Sequence, residues 1–301
     1  VVLWTSLGQG PDLARRPAFR AVMPYFAAAF AFLCVALSIN AYSWLEAALF
    51  GGHTAAAALL PPGRDQNITD LLLLGFVVPI GAAMAERTLP LVLALQPIDA
   101  RLLRVDIGAV LIGAILRLTG LGLGGTVAGI ALMALPFILR IFAPRRRFAG
   151  RSTRPWQESY QWLLGMAFTW LVVAGLLLIT QAGTWWTSAT LAAKPLLAVG
   201  ESSVYHALGA GFGTLLIYGV GPDLLPGALG SRLRPGAQHA VAWLALLGGL
   251  GSLLRVLPTF TMLGLGETAS VLAGMAGVLD LAGVLLLVWL VTPRAAPQVR
   301  R

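Results

Sequence analysis

Charge is what this chain has least of. Asp, Glu, Lys and Arg make up 11% of its 301 residues, against roughly 25% in a soluble domain. With 58% hydrophobic residues and a mean hydropathy of +0.82, no soluble fold of this length hides its apolar surface. Cysteine is down to Cys34, inside an apolar run. That excludes an intrachain disulfide and any thiolate metal cluster, and leaves Cys34 as a small packed residue. There are three histidines, His53, His206 and His239. They form no HExxH, and the chain has no CxxC, no P-loop and no Ser/His/Asp set at a supporting spacing. The GxGxxG match Gly120–Gly125 follows no strand and reads as a helix corner. The first residues, VVLWTSL, have neither the basic stretch nor the cleavage site of a signal peptide. They read as the last turns of a helix, and the expectation is a chain truncated at its N-terminal side.

What is present is a succession of apolar runs long enough to span a bilayer. Eight spans are expected, at about 21–41, 68–92, 103–119, 123–142, 160–180, 203–222, 238–257 and 269–292. A longer connection, Tyr42 to Gln66, is expected to hold a short surface helix, WLEAALF. The net charge of +9 does not point to nucleic acid, because the arginines sit in alternate short loops. One side takes Arg15, Arg16 and Arg20, then Arg101 and Arg104, then the cluster Arg140 to Arg154, then Arg232 and Arg234, then Arg294, Arg300 and Arg301. The other side takes Arg64 and Lys194. By the positive-inside rule both termini are expected to be cytoplasmic, and the expected partner is a lipid bilayer, which the resemblance given below would make the bacterial cytoplasmic membrane.

The chain also repeats itself. NITDLLLLGFVVPIGAAMAERTLP (67–90) and SVYHALGAGFGTLLIYGVGPDLLP (203–226) share Gly-Phe and Leu-Pro pairs 136 residues apart. GAILRL, ending on Arg117-Leu118, and GSLLRV, around Arg255, follow at 138. The expected fold is an all-α membrane protein of two parallel four-helix repeats, related by an axis along the membrane normal. The expected organisation is a helix end and linker (1–20), unit one (21–143), a basic linker (144–159), unit two (160–292) and a cytoplasmic tail (293–301).

Four ionisable residues recur at one expected depth near the outer face. They are Asp70 and Arg117 in unit one, His206 and Arg255 in unit two. Ionisable residues inside spans are functional candidates. The two arginines either snorkel or cap helix ends, or they hold an anion such as a haem propionate. His206 heads a face with Gly209, Ala210 and Gly213; such a stripe leaves room for a planar ring, or for a neighbouring helix. His206 is thus either a packed histidine or an axial ligand. His53 is a solvated loop histidine or a second ligand, and His239 is too far from His206 to share a metal. Arg87 and Asp223 occupy matching positions and are expected to pair across the repeat. Trp185 and Trp186 fit an interfacial belt.

HALGAGFGTLLIYGVGPDLLPGALG with GSLLRVLP, and more weakly the copy in unit one, resembles the NnrS family of membrane proteins. The resemblance covers most of 67–119 and 203–258. It implies a twelve-span protein of three four-helix units, associated with haem and copper and with bacterial responses to nitric oxide. It implies that an N-terminal, histidine-bearing unit precedes this chain. It also implies His206 as the family histidine and metal ligand; the residues themselves, not the resemblance, set Arg255, Arg117, Gly209 and Gly213 around such a cofactor. Asp70 departs from the pattern, and the few histidines argue against copper within these residues. Two further readings stand beside it: a cofactor-free transporter or channel-like protein, and a structural subunit.

Overall fold

The computed structural model describes residues 17–50, 62–92, 99–142, 155–188, 201–228, 237–259 and 268–292. Every element among them is helical. Six of the helices are long and apolar enough to cross a membrane, so the chain is an all-α integral membrane protein. A backbone in lipid must satisfy its own polar groups, and a helix does so within one segment. His53, the arginines 145–154 and residues after 292 lie outside the described residues, as do Lys194, Arg232 and Arg234. So do the side chains of Arg87, Trp185, Trp186 and Asp223.

Helix α1 is Pro17–Phe50. Helix α2 covers 62–92, in three parts: Pro62–Asp70, a π-helical stretch Leu71–Val77, and Val78–Val92. Helix α3 is Ala100–Leu118 and α4 is Leu123–Ile138. Helix α5 is Pro155–Ser188. Helix α6 covers 201–228, again in three parts: Glu201–His206, a π-helical stretch Ala207–Thr214, and Leu215–Ala228. Helix α7 is Ala237–Val256 and α8 is Thr268–Val291.

Local chemistry sets several of these ends. Pro17, Pro62 and Pro155 stand at first helical positions, where a missing N–H costs nothing. Asp99 caps α3 by accepting from the Arg101 and Leu102 amides at 2.9 and 3.4 Å. Gly120, with φ +76, ends α3. Its amide donates to the Arg117 carbonyl, and Leu121 N–H to that of Leu116. The GxGxxG match is thus the α3–α4 corner. Two expectations are corrected. WLEAALF is no separate surface helix but the last turns of α1. Likewise α5 runs on past 180 to Ser188.

Helices α3 and α4 form a hairpin, as do α7 and α8, and α4 lies along α5. Glycine permits the closest approach: a β-carbon at Gly129 would sit 2.5 Å from the Gly175 carbonyl oxygen, and one at Gly175 2.6 Å from that of Gly129. Large apolar side chains on the outer faces of α1 and α8, such as Phe30, Leu37, Val278 and Leu285, stay exposed toward lipid.

The same packing occurs twice along the chain. Both π-helical stretches begin one residue after a polar side chain, Asp70 or His206. Phe30 meets Phe76 edge-on at 5.9 Å and 66°, and Phe168 meets Phe212 edge-on at 5.5 Å and 66°. Gly75 lies against the Phe32 ring, and Gly211 lies against Trp170. The two π stretches also touch each other. A β-carbon on Gly209 would meet Leu73 at 4.0 Å, and one on Gly213 would meet Val77 at 3.7 Å.

Candidate functional site: a buried polar layer

Helix direction brings the start of α2 to the end of α3. Arg117 Nε donates to Asp70 Oδ2 at 2.8 Å. The pair is buried, with side-chain exposures of 11% for Arg117 and 2% for Asp70. Asp70 and the π stretch beside it pack on α1, α3 and α6, which removes water from both charges. Tyr205 approaches the pair from α6 and acts on both members. Its hydroxyl also reaches the Gln66 carbonyl at 3.5 Å. Arg117 is therefore neither snorkelling nor capping a helix end. It is neutralised inside the protein.

His206 is next in sequence to Tyr205, so it shares this layer. It is half-buried. The Arg255 guanidinium acts on it from the end of α7. Arg255 stands over Gly277 of α8, with Nη2 3.7 Å from where a β-carbon would be. In the same way Arg117 stands over Gly125 of α4, at 3.4 Å from Nη1. The carboxylates differ. Where α2 offers Asp70, α6 offers His206. Asp280 on α8 acts on Arg255 instead, at a place where α4 has Ala128. Among the described residues Arg255 closes no ion pair and no hydrogen bond, and His206 makes no hydrogen bond. Asp280 Oδ1 is buried without a hydrogen-bond partner, close against Gly251. The Tyr218 hydroxyl donates to the Asp280 main-chain carbonyl at 3.3 Å, and Gly283 leaves room for its ring.

The layer therefore holds one closed ion pair and one open set. A closed guanidinium–carboxylate pair has little left to offer a ligand. An open guanidinium beside an imidazole offers several donors to a carboxylate or phosphate. Gly209 and Gly213 are at ordinary contact distance from Leu73 and Val77. An alanine would fit at either position, so the contact does not need glycine, but a flat ring does not fit between them and α2. His239 is exposed at the far end of α7. Among the described residues no cluster of three His, Cys, Asp or Glu side chains is placed to hold a metal. Cys34 faces outward from α1.

Sequence reasoning missed Tyr205 and Asp280, and at the other end of unit one it missed Tyr25, Glu86 and Asp106. The acids carried a signal, since each is an ionisable residue in an apolar helix. Tyr205 carried none, because only the crossing of α6 over α2 brings it to the ion pair.

Compared with known protein families, characterised proteins and solved structures, the chain gives no match.

Proposed function

We propose that the chain is an eight-span membrane protein of two four-helix units, 21–143 and 160–292, related by an axis along the membrane normal. The support is the self-contact of counterparts. Leu73 and Gly209 are 136 residues apart, as are Val77 and Gly213, and each pair meets across the α2–α6 contact. Equivalent residues touch only on a symmetry axis. Contacts at two successive turns are what an axis running along two parallel helices would give. The arginine-rich loops favour cytoplasmic termini, with the polar layer then near the outer face; a bacterial source would follow only from the family resemblance.

We further propose that unit two is the ligand-bearing half, and that Arg255 with His206 binds an acidic ligand. One observation carries this: Arg117 is closed by Asp70, while among the described residues its counterpart Arg255 closes no ion pair, with His206 and Asp280 only within electrostatic reach. The resemblance to the NnrS family names the ligand as haem, with a role in nitric oxide or respiratory metal chemistry. The donors suit that group, an imidazole for the metal and a guanidinium for an acid, but the Gly209–Gly213 face toward α2 is closed to its ring. His206 would hold the iron and Arg255 a propionate, while Arg117, Gly209 and Gly213 would take no direct part. When bound, haem would supply an iron able to take a diatomic ligand. The chain's own part is to present an imidazole, to neutralise an acid and to keep water out. Titrating the purified protein with haem tests this. A Soret shift that saturates at one haem per chain, and is lost in His206→Ala, supports the reading. Protein that leaves the haem spectrum unchanged rejects it.

The two facing π stretches favour a second reading. Interrupted helices meeting at a repeat axis form substrate sites in transporters. A small organic anion would then use Arg255 in the same way. Uptake of such an anion into proteoliposomes, without any colour, would support this reading over haem.

A further inference from the structure

The two units act as a control for one another, and at the opposite end from the polar layer they disagree. Asp106 lies on the buried face of α3 with Leu103, Ile107 and Val110. It is 7% exposed. Its Oδ2 has no hydrogen-bond partner. Counting back from the Arg117–Arg255 correspondence, 138 residues separate Asp106 from Leu244, which is fully buried. The fold therefore fills this position with leucine when nothing else is asked of it. A lone carboxyl there weakens packing, so a structural need does not explain it.

The surroundings say what the carboxyl is for. Helix α4, along which this face packs, has no ionisable residue over 123–138. The described ionisable side chains of α2 are Arg64, Asp65, Asp70 and Glu86. Among the described residues none of these, nor Arg101, Arg104 and Arg117 of α3 or Arg140 at the end of α4, acts electrostatically on Asp106. Glu86, by contrast, is approached by Arg104 and Tyr25. A carboxylate without a counter-charge in an apolar site takes a proton instead of staying charged.

We propose that Asp106 is a proton-binding site, a neutral carboxylic acid on the buried face of α3; that it lies inside the membrane rests on the eight-span reading above. The ligand is the proton itself, and the site is independent of whatever Arg255 binds. A carboxylate in water reacts poorly with an apolar carbodiimide, whereas a buried acid reacts. The acid's proton passes to a carbodiimide nitrogen, its oxygen adds to the central carbon, and rearrangement leaves an N-acylurea that keeps every atom of both partners.

The test is to treat the full chain in membranes at neutral pH with dicyclohexylcarbodiimide, and to map adducts by peptide mass spectrometry. The expected result is an adduct on Asp106, absent with a charged, water-soluble carbodiimide and absent in Asp106→Asn. In the infrared, a protonated-carboxyl band sensitive to D2O should be present in the wild type and missing in Asp106→Asn. Asp106→Leu, which copies unit two, serves if the Asn variant does not fold. An unmodified Asp106 in folded protein, or a carboxyl band unchanged in either variant, overturns the proposal.

Discussion

Removing Arg117 should unfold this protein more readily than almost any other single change, and removing Asp70 as well should repair much of the damage. The two groups meet at 2.8 Å and are 11% and 2% exposed. At an effective dielectric of about 20, two unit charges at that distance attract by about 6 kcal/mol. Desolvation offsets most of that, so the intact pair adds little net stability. A single partner left behind keeps its desolvation and loses its attraction. Arg117→Leu and Asp70→Leu should therefore each cost about 3–5 kcal/mol, and the double variant should lie within about 1–2 kcal/mol of wild type. The assay is reversible unfolding in mixed micelles with rising SDS, run on all four proteins. Losses that simply add in the double variant would refute the reasoning, as would an Arg117→Leu protein as stable as wild type.

Other consequences follow from the glycines. Gly75→Ala puts a β-carbon into the Phe32 ring and should cost about 1–3 kcal/mol. Gly209→Ala meets nothing nearer than 4.0 Å and should stay within about 0.5 kcal/mol of wild type. The same SDS titration ranks them. Gly129→Leu should force α4 off α5 and lower the yield of folded protein in detergent, read by size-exclusion chromatography. Cysteines replacing Leu73 and Gly209 in a Cys34→Ser background should cross-link under mild oxidation without loss of solubility; failure to cross-link would count against the two-fold axis.

How much of this was legible beforehand differs from element to element. The membrane class followed from scarce charge and long apolar runs. The Gly-Phe spacing pointed to a repeat, and the described packing agrees at that pair: Gly75 lies against Phe32 and Gly211 against Trp170. The pairing of Asp70 with Arg117 was not legible, although both residues were singled out. A buried ion pair depends on which faces of α2 and α3 turn inward, and the π-helical stretch after Asp70 shifts that face. The stripe at Gly209 and Gly213 was ambiguous for the same reason. Small residues suit a ring or a helix, and only the position of Leu73 and Val77 decides. The extra turns of α1 were misread because polar residues such as Ser43 and Glu46 look like a loop. They belong to a helix that Arg64 of α2 grips through Glu46 and Tyr42.

One difference between the two proposed units is central: Asp70 closes Arg117, while among the described residues Arg255, beside His206, closes no ion pair. His206→Asp tests this most directly, because it gives unit two the arrangement of unit one. Binding of haem, and of small organic carboxylates, should be measured for wild type and His206→Asp by titration under identical conditions. The account predicts that the variant folds, is at least as stable as wild type, and binds none of them, because the introduced carboxylate would close on Arg255. A folded His206→Asp protein that binds any of these ligands as tightly as wild type would contradict it.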